Sequence, residues 1–334
     1  MILTFFYAFA ISFVSLLVVI HYAHKHTFFI DCHKEDKPQK FHADATPRAG
    51  GIGIVSALSM LVFIPFGVKL IPSIILAFAS GIFEDFHNSL SPRLRLSMQI
   101  LAASVAVWLT NSVVTYLGLG ISLPYTAGVV FSIFAIVGMV NAINIIDGFN
   151  GLASGVILMI LASFAVVSFQ HENNDLLYVI SVTAGATFGF FVLVFPKGKI
   201  FLGDGGAYLL GFVVALIGIF LAGTYEKVSP WYILSIFIYP VWEVLFSIVR
   251  KKSIGLSPMQ PDNYHMHMLV HRQLAKSNPH TAVIIMLLCL PFMLLSTYFP
   301  HSSIYNIIVV VLFVCGYLLL YRYLYRKDVA MKSS

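Results

Sequence analysis

Side chains able to do acid–base, metal or phosphate chemistry gather at four places in a chain that is otherwise almost bare of them. The first is Gly81-Ile-Phe-Glu84-Asp85-Phe-His87-Asn88, followed by Ser91-Pro-Arg93-Leu-Arg95. Adjacent carboxylates at the end of an apolar run are costly unless paired or metal-bound; the plain alternative is a solvated helix end neutralised by the arginines. The second is Asn141-Ala-Ile-Asn144-Ile-Ile-Asp147-Gly148-Phe-Asn150-Gly151. Asn141 and Asn144 share a helix face, and Asp147 and Asn150 continue the three-residue spacing across a glycine break. Helix capping accounts for Asn150, with Gly148 and Gly151 as terminators, but leaves two asparagines in an apolar span unexplained. The third, Pro196-Lys-Gly-Lys199-Ile-Phe-Leu-Gly203-Asp204-Gly205-Gly206, joins two lysines to glycines around one aspartate. Such a backbone can approach a phosphate closely, or it is an ordinary turn. The fourth runs from Glu243 through Arg250, Asp262, His265, His267 and His271 to Arg272. Three histidines in seven residues could ligate zinc, with His267 and His271 at i,i+4. No cysteine lies nearby, however, and the other three places offer oxygen donors that suit magnesium; histidines and an arginine beside such a metal suit phosphate oxygens. Glu243 is an ionisable group inside an apolar run, either functional or the partner of a buried arginine.

The elements that must position these groups are membrane helices. Of 334 residues, 59% are hydrophobic and 10% charged, and the mean hydropathy is +0.90. Soluble domains carry about 25% charged residues, so a soluble enzyme, a disordered chain, a coiled coil and a disulfide-stapled domain are all excluded. Cys32, Cys289 and Cys315 form no readable disulfide framework. Apolar stretches at 2–23, 50–68, 70–83, 96–119, 124–146, 151–169, 176–195, 207–223, 231–249, 281–299 and 304–321 predict about eleven transmembrane helices. The expected fold is an all-α polytopic integral membrane protein, one transmembrane domain over 1–334. No small-residue cleavage site follows the first stretch, which is read as a retained helix. With the N-terminus outside, eighteen of the 20 lysines and arginines fall inside and only Lys69 and Lys227 outside. The C-terminus is then cytoplasmic, and the inside loops 24–49, 84–95, 147–150, 196–206 and 250–280 hold all the chemistry.

A magnesium site ringed by cations at a membrane surface points to chemistry on a diphosphate whose acceptor is a lipid. The rival class is a transporter of nucleotide-sugars or organic anions. Transporters gather ionisable groups near the bilayer midplane and often carry an inverted repeat, whereas here the acidic groups lie at one face and no repeat is visible. A structural assembly protein would have no use for magnesium.

In their order along the chain these motifs resemble the polyprenyl-phosphate N-acetylhexosamine-1-phosphate transferases of glycosyltransferase family 4. That family includes the undecaprenyl-phosphate N-acetylglucosamine-1-phosphate transferases, the phospho-N-acetylmuramoyl-pentapeptide transferases and a eukaryotic dolichol branch. The resemblance runs from Asp36-Lys-Pro38 and Thr46-Pro-Arg48-Ala-Gly50-Gly51, through the runs at 141–153 and 199–206, to His271-Arg272. It implies the same helix count and an active site on the cytoplasmic face of the bacterial inner membrane. Glu84 and Asp85 stand where the family has an Asp-Asp pair, the first one methylene longer, and Arg95 where it often has a phosphate-binding lysine. Asp204 matches the magnesium-binding aspartate and Asn144 an asparagine that assists it in some branches. Asn150 replaces the second aspartate of an Asp-Gly-x-Asp-Gly motif, with a similar pattern in the eukaryotic branch. His265 and His267 match two histidines of His-x-His-His, with Met268 at the third, and the 257–262 loop is most similar to the branch that starts O-antigen and related envelope glycans.

What the resemblance implies for the reaction is specific. Mg2+, with Mn2+ as a substitute, is held by Asp204 and Asn144. A UDP-N-acetylhexosamine, N-acetylglucosamine first, is bound by Glu84, Arg95, Asn150, His265, His267 and Arg272. Polyprenyl phosphate in the inner leaflet attacks the phosphorus bearing the sugar, and UMP leaves. A phosphate monoester has its second pKa at about 6, so the nucleophile needs no strong base. Asp85 and Asp147 take the catalytic places, moving a proton or orienting the attack, with a phospho-aspartate double displacement as the competing route. The remaining partners are membrane lipid and, as an open option, a second copy in a homodimer; despite the net charge of +6, no nucleic acid is expected.

Overall fold

The computed structural model describes residues 1–26, 46–87, 90–225, 227–257, 260 and 262–333. Most of the 24–49 loop with Cys32 and Asp36–Pro38, together with Asn88, Glu226, Pro258 and Pro261, lies outside the described residues. Every apolar stretch is helical in whole or in part, but the helices are unequal. Among the described residues eight are long and apolar enough to cross a membrane, or nine if one bent pair counts as a single span.

Helix α1 is Ile2–His26. The stretch at 50–68 becomes α2, Gly50–Leu58, and a 3-10 turn, Ser59–Phe63. Ile64 ends that turn in extended backbone, as the residue before a proline prefers, and α3 starts at Pro65 and runs to His87. Helix α4, Pro92–Thr110, opens where the Ser91 side chain accepts the Leu94 N–H, and it stops at Asn111 in the left-handed region, φ 51°. The stretch read to residue 119 is therefore cut short. A small antiparallel pair follows, β1 Tyr116–Gly118 and β2 Ile121–Ser122, a minor departure from an all-α fold.

The remaining helices are α5 Tyr125–Ile146, α6 Leu152–Gln170, α7 Asn174–Val194, α8 Gly203–Thr224, α9 Pro230–Ile236, α10 Ile238–Ser253, α11 Met266–Val270, α12 Asn278–Tyr298 and α13 Ser303–Ser333. Helices α9 and α10 form the bent pair, at 78°. Pro240 accounts for the break: it offers no N–H to the Ile236 carbonyl, and its ring would collide with that oxygen in a straight helix.

Helix α8 is the core, with 89% of its spanning window buried against 17% for α1 and 22% for α13. It packs on α3 and α5, while α7 joins α1 and α6. Apolar burial does not drive helices together inside lipid, so close approach depends on small residues. Gly81 of α3 lies directly on the Asp204–Gly205 backbone, and a Cβ at Gly51 of α2 would stand 2.8 Å from the Gly206 Cα. These contacts draw the ends of α2 and α3 onto the first turn of α8.

Candidate active site

Gly81 and Asp85 are one turn apart on the same face of α3. Because Gly81 admits the α8 backbone, Asp85 reaches the start of that helix. Its Oδ1 accepts the Asp204 N–H at 2.9 Å and its Oδ2 the Gly205 N–H at 2.8 Å. A carboxylate there satisfies two of the N–H groups a helix start leaves free and meets the positive end of its dipole. Gly203 makes the entering turn with φ +74°, and a Cβ on it would lie 2.6 Å from Asp85 Oδ2. Asp85 thus clamps the turn that carries Asp204.

Asp204 Oδ2 accepts from Arg95 Nη1 at 2.9 Å and from the Tyr208 hydroxyl at 3.4 Å. Arg95 stands one turn into α4, set by the Ser91 cap, and its Nη1 is 3.8 Å from Glu84 Oε1. Glu84 Oε2 accepts the Leu90 N–H at 3.2 Å. The adjacent carboxylates therefore split their work, Asp85 to backbone and Glu84 to Arg95.

Helix α5 ends in a tight turn, the Asp147 N–H on the Asn144 carbonyl at 3.3 Å. The Asn144 amide and the Asp147 carboxylate have no hydrogen-bond partner among the described residues. Enclosure by protein, with the like charges of Asp204 and Asp85, raises the Asp147 carboxyl to about 7 against the opposing charge of Arg48. The charge of Arg48 also acts on Asp85 and Asp204. Its segment is fixed by a parallel bridge to the 201–202 strand-like stretch, with Phe201 N–H on the Pro47 carbonyl at 2.8 Å and Gly50 N–H on the Phe201 carbonyl at 2.9 Å.

Two asparagines turn elsewhere. Asn141 Nδ2 donates to Gln99 Oε1 of α4 at 2.8 Å. Capping does not explain Asn150, because the N-cap of α6 is Gly151, φ +81°, with no side-chain cap. Asn150 instead fastens the 147–151 turn, its Nδ2 donating to the Pro196 carbonyl at 3.0 Å and its N–H to Asn278 Oδ1 at 2.6 Å.

The histidine segment reaches the same turn from the other side. Glu243 Oε2 lies 3.0 Å from His265 Nδ1, and Oε1 accepts the Met266 N–H at 3.1 Å and the Tyr317 hydroxyl at 2.9 Å. The buried partner of Glu243 is a histidine, not an arginine. The His265 and His267 rings stack with centroids 5.3 Å apart. His267 is buried, its Nδ1 is 3.1 Å from the Tyr239 hydroxyl, and a Cβ on Gly148 would meet its Nε2 at 3.9 Å. Burial pushes His267 down to about 4, so the ring is neutral at pH 7. The direction of the Tyr239–Nδ1 hydrogen bond follows the imidazole tautomer, and the other ring nitrogen, Nε2, faces Gly148. Phe149 packs against both His267 and His271, at 5.7 and 5.1 Å.

His271 Nδ1 pairs with Thr281 Oγ1 at 3.1 Å. Arg272 is turned away from the aspartates, with Nε 2.8 Å from Asp328 Oδ1 and Nη1 donating to the Asn263 carbonyl at 2.9 Å. Among the described residues no three His, Cys, Asp or Glu side chains stand close enough to hold a metal, which leaves zinc without a ligand set. Magnesium asks for less. It takes one or two carboxylates and fills its shell with water and substrate phosphates, and Asp204 with Asn144 supplies hard oxygen donors for it.

Sequence reasoning missed Arg48, Tyr208, Tyr317 and Asp328 as members of this assembly. Arg48 had a signal, since it precedes Gly50-Gly51, a pair that marks close backbone approach. Tyr317, Tyr321, Leu324 and Asp328 had one too, a stripe at helical spacing inside the last span.

Fold and site together define an integral membrane protein with a cluster of carboxylates, arginines and histidines at one end of a helical bundle. The profile of glycosyl transferase family 4 matches residues 68–222. The decaprenyl-phosphate N-acetylglucosaminephosphotransferase of Mycobacterium leprae is 30% identical over 285 residues, 74% of this chain and 71% of its own length. The undecaprenyl-phosphate alpha-N-acetylglucosaminyl 1-phosphate transferase of Thermotoga maritima is 30% identical over 306 residues, covering 89% and 91%. The phospho-N-acetylmuramoyl-pentapeptide-transferase of a Streptococcus agalactiae strain is 25% identical over 265 residues, covering 70% and 78%. The chain belongs to glycosyl transferase family 4, a family of phosphosugar transferases.

Proposed function

We propose that the protein transfers N-acetylhexosamine-1-phosphate, with N-acetylglucosamine the first choice of sugar, from a UDP-sugar to polyprenyl phosphate. UMP is released at the cytoplasmic face of the bacterial inner membrane, and a lipid-linked glycan such as O-antigen is begun. The observation that carries this reading is the convergence of Asp85, Asp147 and Asp204 with Arg48 and Arg95 at the first turn of α8, with His267 Nε2 at the neighbouring Gly148 turn. The polyprenyl-phosphate acceptor and the sugar are taken from the names of the relatives.

Asp204 with Asn144 would hold a magnesium ion, which would supply neutralising charge for the diphosphate. Arg48 and Arg95 add fixed positive charge on the donor phosphates, His267 presents Nε2 of a neutral ring, and Asp85 keeps the α8 turn in place. Arg272 belongs to the expected phosphate-binding set, and Asp328 holds its guanidinium at 2.8 Å. A lipid-phosphate oxygen forms the new P–O bond while the bond to UMP breaks, and no bond to the sugar carbon changes. The acceptor is already mostly dianionic, so Asp147 orients the attack, and positioning with charge stabilisation supplies most of the acceleration.

Asp204→Ala should lower UMP release in membranes by at least about 100-fold with unchanged protein in the membrane; activity near wild type overturns the assignment. Labelled UDP-sugar with polyprenyl phosphate on open membrane fragments separates the transporter class. The transferase yields butanol-extractable label and free UMP, and a transporter yields neither.

A further inference from the structure

We propose that the C-terminal helix α13 is a positioning element of the active site: through Tyr317 and Asp328 it fixes both ends of the segment 265–273 that carries the histidines. The proposal rests on reading His265 and His267 as groups that meet the substrate. It concerns a helix beyond residues 68–222, where the family profile matches.

Tyr317, Tyr321, Leu324 and Asp328 are all buried, although they lie on a helix whose apolar window is mostly exposed on the bundle. Their spacing of four, three and four puts them on one face. The face is an aromatic ladder, with Tyr317–Tyr321 and Tyr321–Tyr325 stacked and Tyr321 edge-on to Phe246 of α10 at 4.6 Å. Polar contacts stand at its two ends. At the near end the Tyr317 hydroxyl donates to Glu243, which also accepts from the Met266 N–H and pairs with His265 Nδ1. A buried carboxylate is costly unless fully hydrogen-bonded, and Tyr317 supplies one of its three donors. At the far end Asp328 takes Arg272 Nε at 2.8 Å, Arg272 Nη2 at 3.3 Å and Gln273 Nε2 at 2.9 Å. The two anchors are three helical turns apart, about 16 Å along the axis. His265 stands at the near anchor and its ring stacks on His267, whose Nε2 faces Gly148. A rigid rod tied at both ends of a short segment holds that segment's side chains in register, and neither Tyr317 nor Asp328 needs to touch substrate to do so.

The test uses the purified full-length protein in detergent, with UDP-N-acetylglucosamine and undecaprenyl phosphate as substrates and UMP release as readout. Tyr317→Phe removes one oxygen. It should lower kcat about tenfold and leave the donor KM within about twofold. In a His265→Ala background the same change should have no further effect, because the hydroxyl acts through that ring; independent, multiplicative losses mean packing alone and overturn the proposal. Asp328→Asn should likewise lower kcat, with recovery in Asp328→Glu, which keeps the charge. If Asp328→Asn does not fold, the Tyr317 cycle decides. Wild-type rates in His265→Ala overturn the reading of the histidines and the proposal with it. An impaired His265→Ala beside wild-type Tyr317→Phe and Asp328→Asn overturns the positioning role alone.

Discussion

Asp85 and Asp147 are the same side chain in opposite surroundings. Asp85 receives two backbone N–H groups and closes a helix start; Asp147 receives none among the described residues and faces two other carboxylates. With its carboxyl at about 7 when folded against 3.8 as a free group, the folded protein holds a proton on Asp147 that the unfolded chain has released between those pH values. Stability therefore falls as pH rises from about 4 to about 7 and is flat above. Asp147→Asn removes that loss. In EDTA its melting temperature should exceed that of wild type by a margin that grows from pH 4 to pH 7 and then holds, measured in detergent by thermal unfolding, while its transferase rate falls. An Asn variant less stable than wild type at pH 8 refutes the account from burial and like charge. The residue types at this centre were legible in the sequence because oxygen-bearing side chains are conspicuous in apolar runs. Their partners were not, because Asp85 and Asp204 are 119 positions apart and only the crossing of α3 over α8 joins them.

At the scale of helices, hydropathy found the runs and the chain's punctuation shaped them. Pro65 ended a short 3-10 turn, Pro240 broke α9 from α10, and Asn111 stopped α4 before its apolar run was finished. Each signal was present in the sequence, but a window that averages about 20 residues dilutes a single proline or asparagine. The glycines were harder to read, since nothing local tells a glycine in contact from one facing lipid. Gly81 lies against the α8 backbone, and Gly138 has nothing within 4 Å of where its Cβ would be. Gly81→Ala should destabilise the bundle by about 1–3 kcal/mol and cut activity by moving Asp85 off the α8 start. Gly138→Ala should change neither, with melting temperature and UMP release as the paired measurements. Equal behaviour of the two variants would show that the α3–α8 approach is slack.

For the whole molecule, the sorting of charge is the testable statement. Single cysteines placed at Lys227 and Lys252, with Cys32, Cys289 and Cys315 changed to Ser, should label from opposite sides. Position 227 should react in intact cells and position 252 only in inverted vesicles; labelling of both from one side overturns the sorting of lysines and arginines between the two faces. The same view gives the α3 clamp on α8 a wider meaning. Asp204 stands on the first turn of the most deeply packed helix, and that turn is locked from a second helix. The alignment of Asp204 is thereby set by helix packing. A substitution elsewhere that shifts α3 against α8 therefore moves Asp204 as well, whatever it leaves intact at the residue itself.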